Sequence, residues 1–195
     1  MRDERDYSEW MEAFWARDIL ELFRLERRDS FLKFAELVFA QSGGRFNASR
    51  FAAFCGVSRP TIMNYLAILE ATHLVYVVRP YHGRNAKEIV ATPCVYAFDT
   101  GFVAWAQGLH EIPAKEKGFM WEHLVLNEIA AIQQTSDILQ WRDKQGHKVD
   151  FVLKTHSNAP LALEAKWNAD AFEPDGLRAF RTLHPGGTNL VISAN

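Results

Sequence analysis

The sequence holds one group of residues whose types and spacing suit phosphodiester chemistry. Asp150 sits in KVDFVL (148–153), and Glu164 and Lys166 sit two apart in LALEAKW (161–167). On a strand, a period of two puts Glu164 and Lys166 on one face and Leu163 and Ala165 on the other. The carboxylates of Asp150 and Glu164, with the Ala165 carbonyl as a third ligand, make the all-oxygen set that Mg²⁺ prefers. That ion lowers the pKa of a bound water and so makes a nucleophile at neutral pH. Lys166 would orient the water or stabilise charge developing on the scissile phosphate. Glu122, in GFMWEHLVLNEI (118–129), could bind the metal directly or through water. A blander reading stays open, in which Glu164 is a surface residue paired with its own Lys166, worth under ~1 kcal/mol. The apolar neighbours in LALEAKW weigh against it.

These residues need particular elements to carry them. Gly118 opens an amphipathic helix with an expected apolar stripe of Trp121, Leu124, Val125 and Ile129. ILQWRD (138–143) and KVDFVL read as a hairpin turning at Gln145-Gly146, LALEAKW as a further strand, and NLVIS as a late one. Convergence of Asp150 and Glu164 depends on register, because a slip of one residue would turn one of them away.

The middle of the chain has a different character. Asn47 can cap a short helix, 48–55, with Phe51, Ala52 and Phe54 facing inward. Gly56 supplies a tight turn, and Ser58 caps a second helix, 59–70, with Pro60 in its first turn. That helix buries Ile62, Leu66 and Leu69 and leaves Arg59, Thr61, Asn64 and Tyr65 near its exposed start. This is the helix-turn-helix arrangement, and those four residues would reach a nucleic-acid groove. LVYVV (74–78), the turn-prone RPYHGRN (79–85) and KEIVA (87–91) then read as a wing with Arg79, Arg84 and Lys87 at its tip. The alternative is that the module packs on a neighbouring domain or subunit.

Upstream, apolar residues from Tyr7 to Phe23 recur at helical spacing. Asp29 and Ser30 offer a cap for a second helix that carries Phe31, Phe34, Leu37 and Val38 and ends at Gly43-Gly44. The linker-like stretch 108–118 places a domain boundary between 1–110 and 114–195.

Composition is that of a soluble globular protein: 48% apolar and 24% charged residues, a net charge of −2, and a pI near 6.4. The charge is uneven. Residues 1–44 carry 7 basic and 10 acidic side chains, 45–92 carry 6 and 2, and 93–195 carry 9 and 12. A basic middle inside an acidic chain is the footprint of a nucleic-acid-facing module. No apolar run approaches the ~20 residues that span a bilayer, and the charged start lacks a secretory h-region. Two cysteines in unlike contexts, Cys55 and Cys94, suggest buried reduced thiols and a cytoplasmic protein. The chain has no GxxxxGK[ST] phosphate loop and no HExxH or similar histidine spacing. It has no nucleophile elbow either, so ATPase, zinc and serine-hydrolase chemistry find no support in it.

In this order, the elements resemble the C-terminal region that follows the ATPase domain in a widespread group of prokaryotic AAA-type ATPases. That region is known as a domain of unknown function. The matching stretches are ARDI (16–19), GVSRPTIMNYLAILEATHLV (56–75) and VRPYHGRNAKEIVATPCVYAFDTGF (79–102), followed by GFMWEHLVLNEI, WRDKQGHKVDFVL (141–153) and LALEAKW. The resemblance covers nearly the whole chain, and VYAFDTGF is its most distinctive piece. It implies a winged helix followed by a PD-(D/E)XK nuclease-like domain of the restriction-endonuclease type. Asp150, Glu164 and Lys166 match that core motif, and Glu122 is its helix acid. The ATPase domain is absent from this sequence, so such a domain is expected in cis or in trans.

The expected fold is therefore α+β (or α/β). A helical segment and winged helix-turn-helix occupy 1–110, and a mixed nuclease-like domain occupies 114–195. The expected function is DNA binding in an ATPase-coupled system, with Mg²⁺-dependent cleavage at Glu122, Asp150, Glu164 and Lys166. Two alternatives stand beside it: a non-catalytic interaction or regulatory module, and a transcription regulator that uses the winged helix alone.

Overall fold

The computed structural model describes Tyr7, Glu9, Ala13, Ile19, Phe23 and residues 27–82, 92–133, 137–155 and 159–195. The chain forms two compact units, one from 1–76 and 96–111, the other from 77–95 and 112–195. The boundary expected near 110–114 keeps 77–95 with the first domain, whereas the compact units assign that segment to the second. The fold is α+β, helices first and then a mixed sheet.

In the first unit, α1 (Arg28–Ala40) buries Phe31, Phe34, Ala35, Val38 and Phe39, the stripe of a helix with one inward face. Its N-cap is Arg27 with no side-chain cap, so Asp29 is not the cap but an acid in the first turn, where the helix dipole favours it. Gly43, at φ 75°, turns the chain into the short β1 (Gly44–Arg45). Two helices follow, α2 (Ala48–Cys55) and α3 (Arg59–Ala71). Phe34 meets Phe51 of α2 edge-on at 5.4 Å, and Phe31 meets Tyr65 of α3 at 5.0 Å. Aromatic packing thus holds the three helices together. Strands β2 (Val75–Pro80) and β3 (Cys94–Ala97) run from one unit into the other, and the buried hydroxyl of Ser42 accepts the Ala97 amide at 2.8 Å. Asp99 caps α4 (Thr100–Ala106) through the Phe102 amide, and Phe102 joins Phe39 and Phe98 in an aromatic cluster.

The second unit begins its long sequence segment with α5 (Lys117–Gln133). Strands β4 (Ile138–Arg142), β5 (Lys148–Leu153) and β6 (Leu161–Lys166) form an antiparallel meander. β7 (Asn189–Ser193) adds in parallel beside β6, while Arg79 and Pro80 of β2 pair in parallel with Leu139 and Gln140 of β4. The β4–β5 turn is tied by Asp143, which accepts the amides of Gln145 and His147 and sits 2.7 Å from His147 Nδ1. α6 (Asp175–Leu183) lays Leu177 and Phe180 on Trp141, Val149, Val152 and Ala162 to form the core of the unit. Arg181 of α6 donates to the carbonyls of Pro160, Gly186 and Thr188 and to Asn189 Oδ1, which fixes the loop leading into β7.

Three expectations are corrected. In α5 the buried set is Met120, His123, Val125, Leu126, Ile129 and Ala130, and Leu124 is exposed, because the packed face is centred on His123 and Leu126 rather than on Trp121 and Leu124. In α2, Phe54 is 48% exposed, with Arg50 stacked over its ring at 5.6 Å. Arg79 lies within β2 instead of at a hairpin tip. KEIVA, Arg84 and Lys87 lie outside the described residues.

Candidate functional site

The acidic residues meet where β5 and β6 separate. Their ladder runs from Leu153↔Leu161 through Val152↔Ala162 to Phe151↔Leu163 and stops there. On the other side of β5 the register shifts: Trp141 faces Val149 and Leu139 faces Val152, so Asp150 and Phe151 together stand opposite Gln140. An extra residue of this kind is a β-bulge, which bends a strand and re-aims its side chains. Here it turns the Asp150 carboxylate toward β6. In place of a ladder partner, the Ala165 amide donates to Asp150 Oδ2 at 3.1 Å.

Four further groups gather around Asp150. Lys166 Nζ lies 2.9 Å from Glu164 Oε2 and 3.8 Å from Asp150 Oδ2, so Glu164 and Lys166 share a face as their spacing predicts. Lys148 Nζ lies 2.8 Å from Asp150 Oδ1 and 3.7 Å from Oε2 of Glu122 on α5. The start of α6 comes so close that a Cβ on Gly176 would collide with the Lys148 carbonyl oxygen and stand 3.5 Å from Glu164 Oε1. Asp150 and Glu164 are buried, their side chains only 1% and 5% exposed.

Burial sets the electrostatics, because it opposes charge on either carboxyl. For Glu164, burial and the neighbouring Asp150 carboxylate push the pKa up to about 7. For Asp150, the ion pair and hydrogen bond with Lys148, helped by Glu164 and Lys166, outweigh burial and hold the carboxyl below its usual range. The two carboxyls are in hydrogen-bond contact, so a protonated Glu164 donates to an ionised Asp150. Burial likewise opposes charge on Lys148, but Asp150 and Glu122 overcome it and raise its pKa.

This set suits a hard divalent cation. Its carboxylate donors are all oxygens, Asp150 Oδ1 is buried with the Lys148 ammonium as its partner, and burial beside the Asp150 carboxylate opposes charge on Glu164. Among the described residues, no three His, Cys, Asp or Glu side chains stand close enough together to hold a metal as they are. Asp150 and Glu164 would be the first ligands and Glu122 the third.

The helix-turn-helix face forms by local rules. Asn47 Oδ1 accepts the Arg50 amide at 3.0 Å, Gly56 takes φ 64°, and Ser58 Oγ accepts the Thr61 amide at 3.2 Å. Arg59 and Asn64 are exposed, and the Thr61 hydroxyl lies 2.8 Å from Ser58 Oγ, inside the cap. Tyr65 departs from expectation. It is 3% exposed, packs on Phe31 and Phe34, and donates from its hydroxyl to the Arg27 carbonyl at 3.3 Å. It belongs to the core and reaches no groove. Met63, 47% exposed, stands on the outer face instead.

Two residues of the acidic site escaped the sequence reading. Lys148 precedes Asp150 by two, the same same-face spacing that marks Glu164 and Lys166, so periodicity could have found it. No local signal marks Gly176, whose closeness to the strand is a tertiary fact.

Comparison with known proteins gives matches on both sides of the linker. Residues 1–112 match a domain of unknown function, DUF8612, and residues 117–194 match another, DUF4143. Uncharacterized proteins of Mycobacterium bovis and Mycobacterium tuberculosis are each 27% identical over 128 residues, or 64% of this chain. The match spans 29% of those relatives' length. The crystal structure of a transcriptional regulator aligns over 66% of this chain and 96% of that one, at 16% identity and a TM-score of 0.27. Among the described residues, no helix is long and apolar enough to cross a membrane.

Proposed function

We propose, on the premise that this chain belongs to the DUF8612 family, that it is a DNA-binding module whose second unit carries a Mg²⁺-dependent phosphodiesterase site of the PD-(D/E)XK type. The observation that carries this reading is the meeting of Asp150, Glu164 and Lys166 at the β5–β6 fork, with Glu122 brought in through Lys148.

In this reading Asp150 and Glu164 would hold the ion through their carboxylate oxygens, with Glu122 completing the acidic wall. Bound there, a divalent cation would supply a water of lowered pKa and neutralise charge on the phosphate. Lys166, held by Glu164 at 2.9 Å, donates from Nζ to a non-bridging phosphate oxygen as negative charge builds there. The Ala165 amide keeps Asp150 Oδ2 aimed, which leaves Oδ1 for the ligand. The exposed Arg59 and Asn64 at the start of α3 would meet the duplex, with Arg59 engaging phosphate and Asn64 available for base edges.

Work beside an AAA-type ATPase in the cytoplasm accords with the match of 117–194 to DUF4143, a domain often found in AAA-ATPase-associated proteins. It also accords with relatives much longer than the matched segment.

One observation favours a second reading. Two lysines already pair with the three carboxylates, an arrangement that a non-catalytic binding module could keep without any metal. Incubation of duplex and single-stranded DNA with the protein in Mg²⁺ or Mn²⁺ separates the two. Metal-dependent cleavage that Asp150→Asn and Lys166→Ala both abolish supports the nuclease. Salt-sensitive DNA binding without cleavage, unchanged by either substitution, supports the binding module.

A further inference from the structure

We propose that Lys148 is a tethered counter-ion that fills the divalent-cation position between Glu122 and Asp150, and that it must swing into solvent before the metal loads. The inference rests on the metal-site reading above and concerns how that site is held when no ion is bound.

The two oxygens of Asp150 are served differently. Oδ2 accepts the Ala165 amide at 3.1 Å and faces Lys166 at 3.8 Å, partners fixed on β6. Oδ1 is buried and meets the Lys148 ammonium at 2.8 Å, a partner on a side chain that reaches solvent. That ammonium also lies 3.7 Å from Glu122 Oε2, so one cation stands between carboxylates from β5 and α5. This is where an ion held by both acids would sit.

The two lysines also differ in their freedom to leave. The Lys148 side chain is 44% exposed and the Lys166 side chain 23%. An ammonium on a four-carbon stem is strongly hydrated and flexible, so a half-exposed one can exchange its carboxylates for water without unfolding its strand. Its departure would leave Glu122 and Asp150 Oδ1 facing each other with no cation between them. A divalent ion, carrying twice the charge, can take that place.

Lys148 therefore competes with the metal, whereas a structural clamp would leave metal affinity untouched and a phosphate anchor would affect DNA alone. The test is calorimetric titration of Mn²⁺ at low salt into wild type, Lys148→Met, Lys148→Gln and Asp150→Asn, with thermal melts in EDTA and in saturating Mn²⁺. Both Lys148 variants are expected to bind Mn²⁺ at least tenfold more tightly than wild type. They should also melt lower than wild type in EDTA and gain more from Mn²⁺, while Asp150→Asn binds none. Binding seen only in the Lys148 variants would give the same answer in stronger form. Equal or weaker affinity in both variants, with wild-type binding intact, overturns the role of Lys148 and leaves the metal site standing. No Mn²⁺ binding in wild type or in either Lys148 variant removes both.

Discussion

In the α2–α3 pair, both capping side chains find their partners within three residues: Asn47 with Arg50, Ser58 with Thr61. At the β5–β6 fork the partners come from α5, β5 and β6, up to 26 residues apart, and all but the Ala165 amide are ionisable side chains. The first region spends its polar groups on geometry and leaves Arg59 and Asn64 in water. The second buries two carboxyls and leaves their charges incompletely matched. An arrangement satisfied by its own backbone stays as it is when a ligand arrives. A cluster in which Glu164 holds a proton up to about pH 7 has electrostatic energy to release to a cation. In the proposed reading the fork is the part of the molecule that would answer to a small ion, and the helix pair would present side chains.

Two glycines put this contrast to its strongest test. Gly176 lies against the Lys148 carbonyl, so Gly176→Ala forces β5 and α6 apart and should cost about 3 kcal/mol by denaturant titration. A cost near zero would mean that the fork is looser than its distances imply. Gly56 has open space around it and needs only its left-handed conformation, so Gly56→Ala should cost about 1 kcal/mol.

The next effect in size is on pH. The folded pKa of Glu164 lies above its ordinary 4.5, so the folded state binds the extra proton between about pH 4.5 and 7. Stability in EDTA should therefore fall as pH rises through that window, by on the order of 2 kcal/mol, and level off above it. Glu164→Gln should flatten that slope in a series of melts, and an unchanged slope would assign it to another group.

The helix pair should give the smallest effects. Tyr65→Phe removes one hydrogen bond to the Arg27 carbonyl and should cost under about 1 kcal/mol without altering DNA binding. Arg59→Ala should leave stability unchanged and reduce the salt dependence of duplex binding by about one phosphate contact, read as the slope of log affinity against log salt. If Tyr65→Phe weakened DNA binding as much as Arg59→Ala, the Tyr65 hydroxyl would belong to the nucleic-acid face after all.

What could be read from the sequence follows the same division. Asn47, Gly56, Ser58 and Pro60 act over a few residues, and the turn they specify is the turn observed. Strand periodicity alone puts Glu164 and Lys166 on one face. Helical spacing puts Tyr65 on the outer face because it cannot tell such a face from one covered by Phe31 and Phe34, some thirty residues earlier. The pairing of Arg79 and Pro80 with β4 joins segments about sixty residues apart and leaves no local mark. Nor does the bulge at Asp150, since KVDFVL is an unbroken apolar run apart from its two charges. That one extra residue is nevertheless what aims the carboxylate at β6.

The Ala165 amide gives the fork a built-in spectroscopic label. Its proton is held by the Asp150 carboxylate, while its neighbours Glu164 and Lys166 lie in register with β7. Its nitrogen and proton resonances will therefore follow the charge on one side chain. In a single ¹⁵N-resolved spectrum, that one cross-peak separates an Asp150 that is bare, protonated or drawn toward another cation. A backbone position that does no chemistry itself thus offers a non-destructive gauge of the group most central to it.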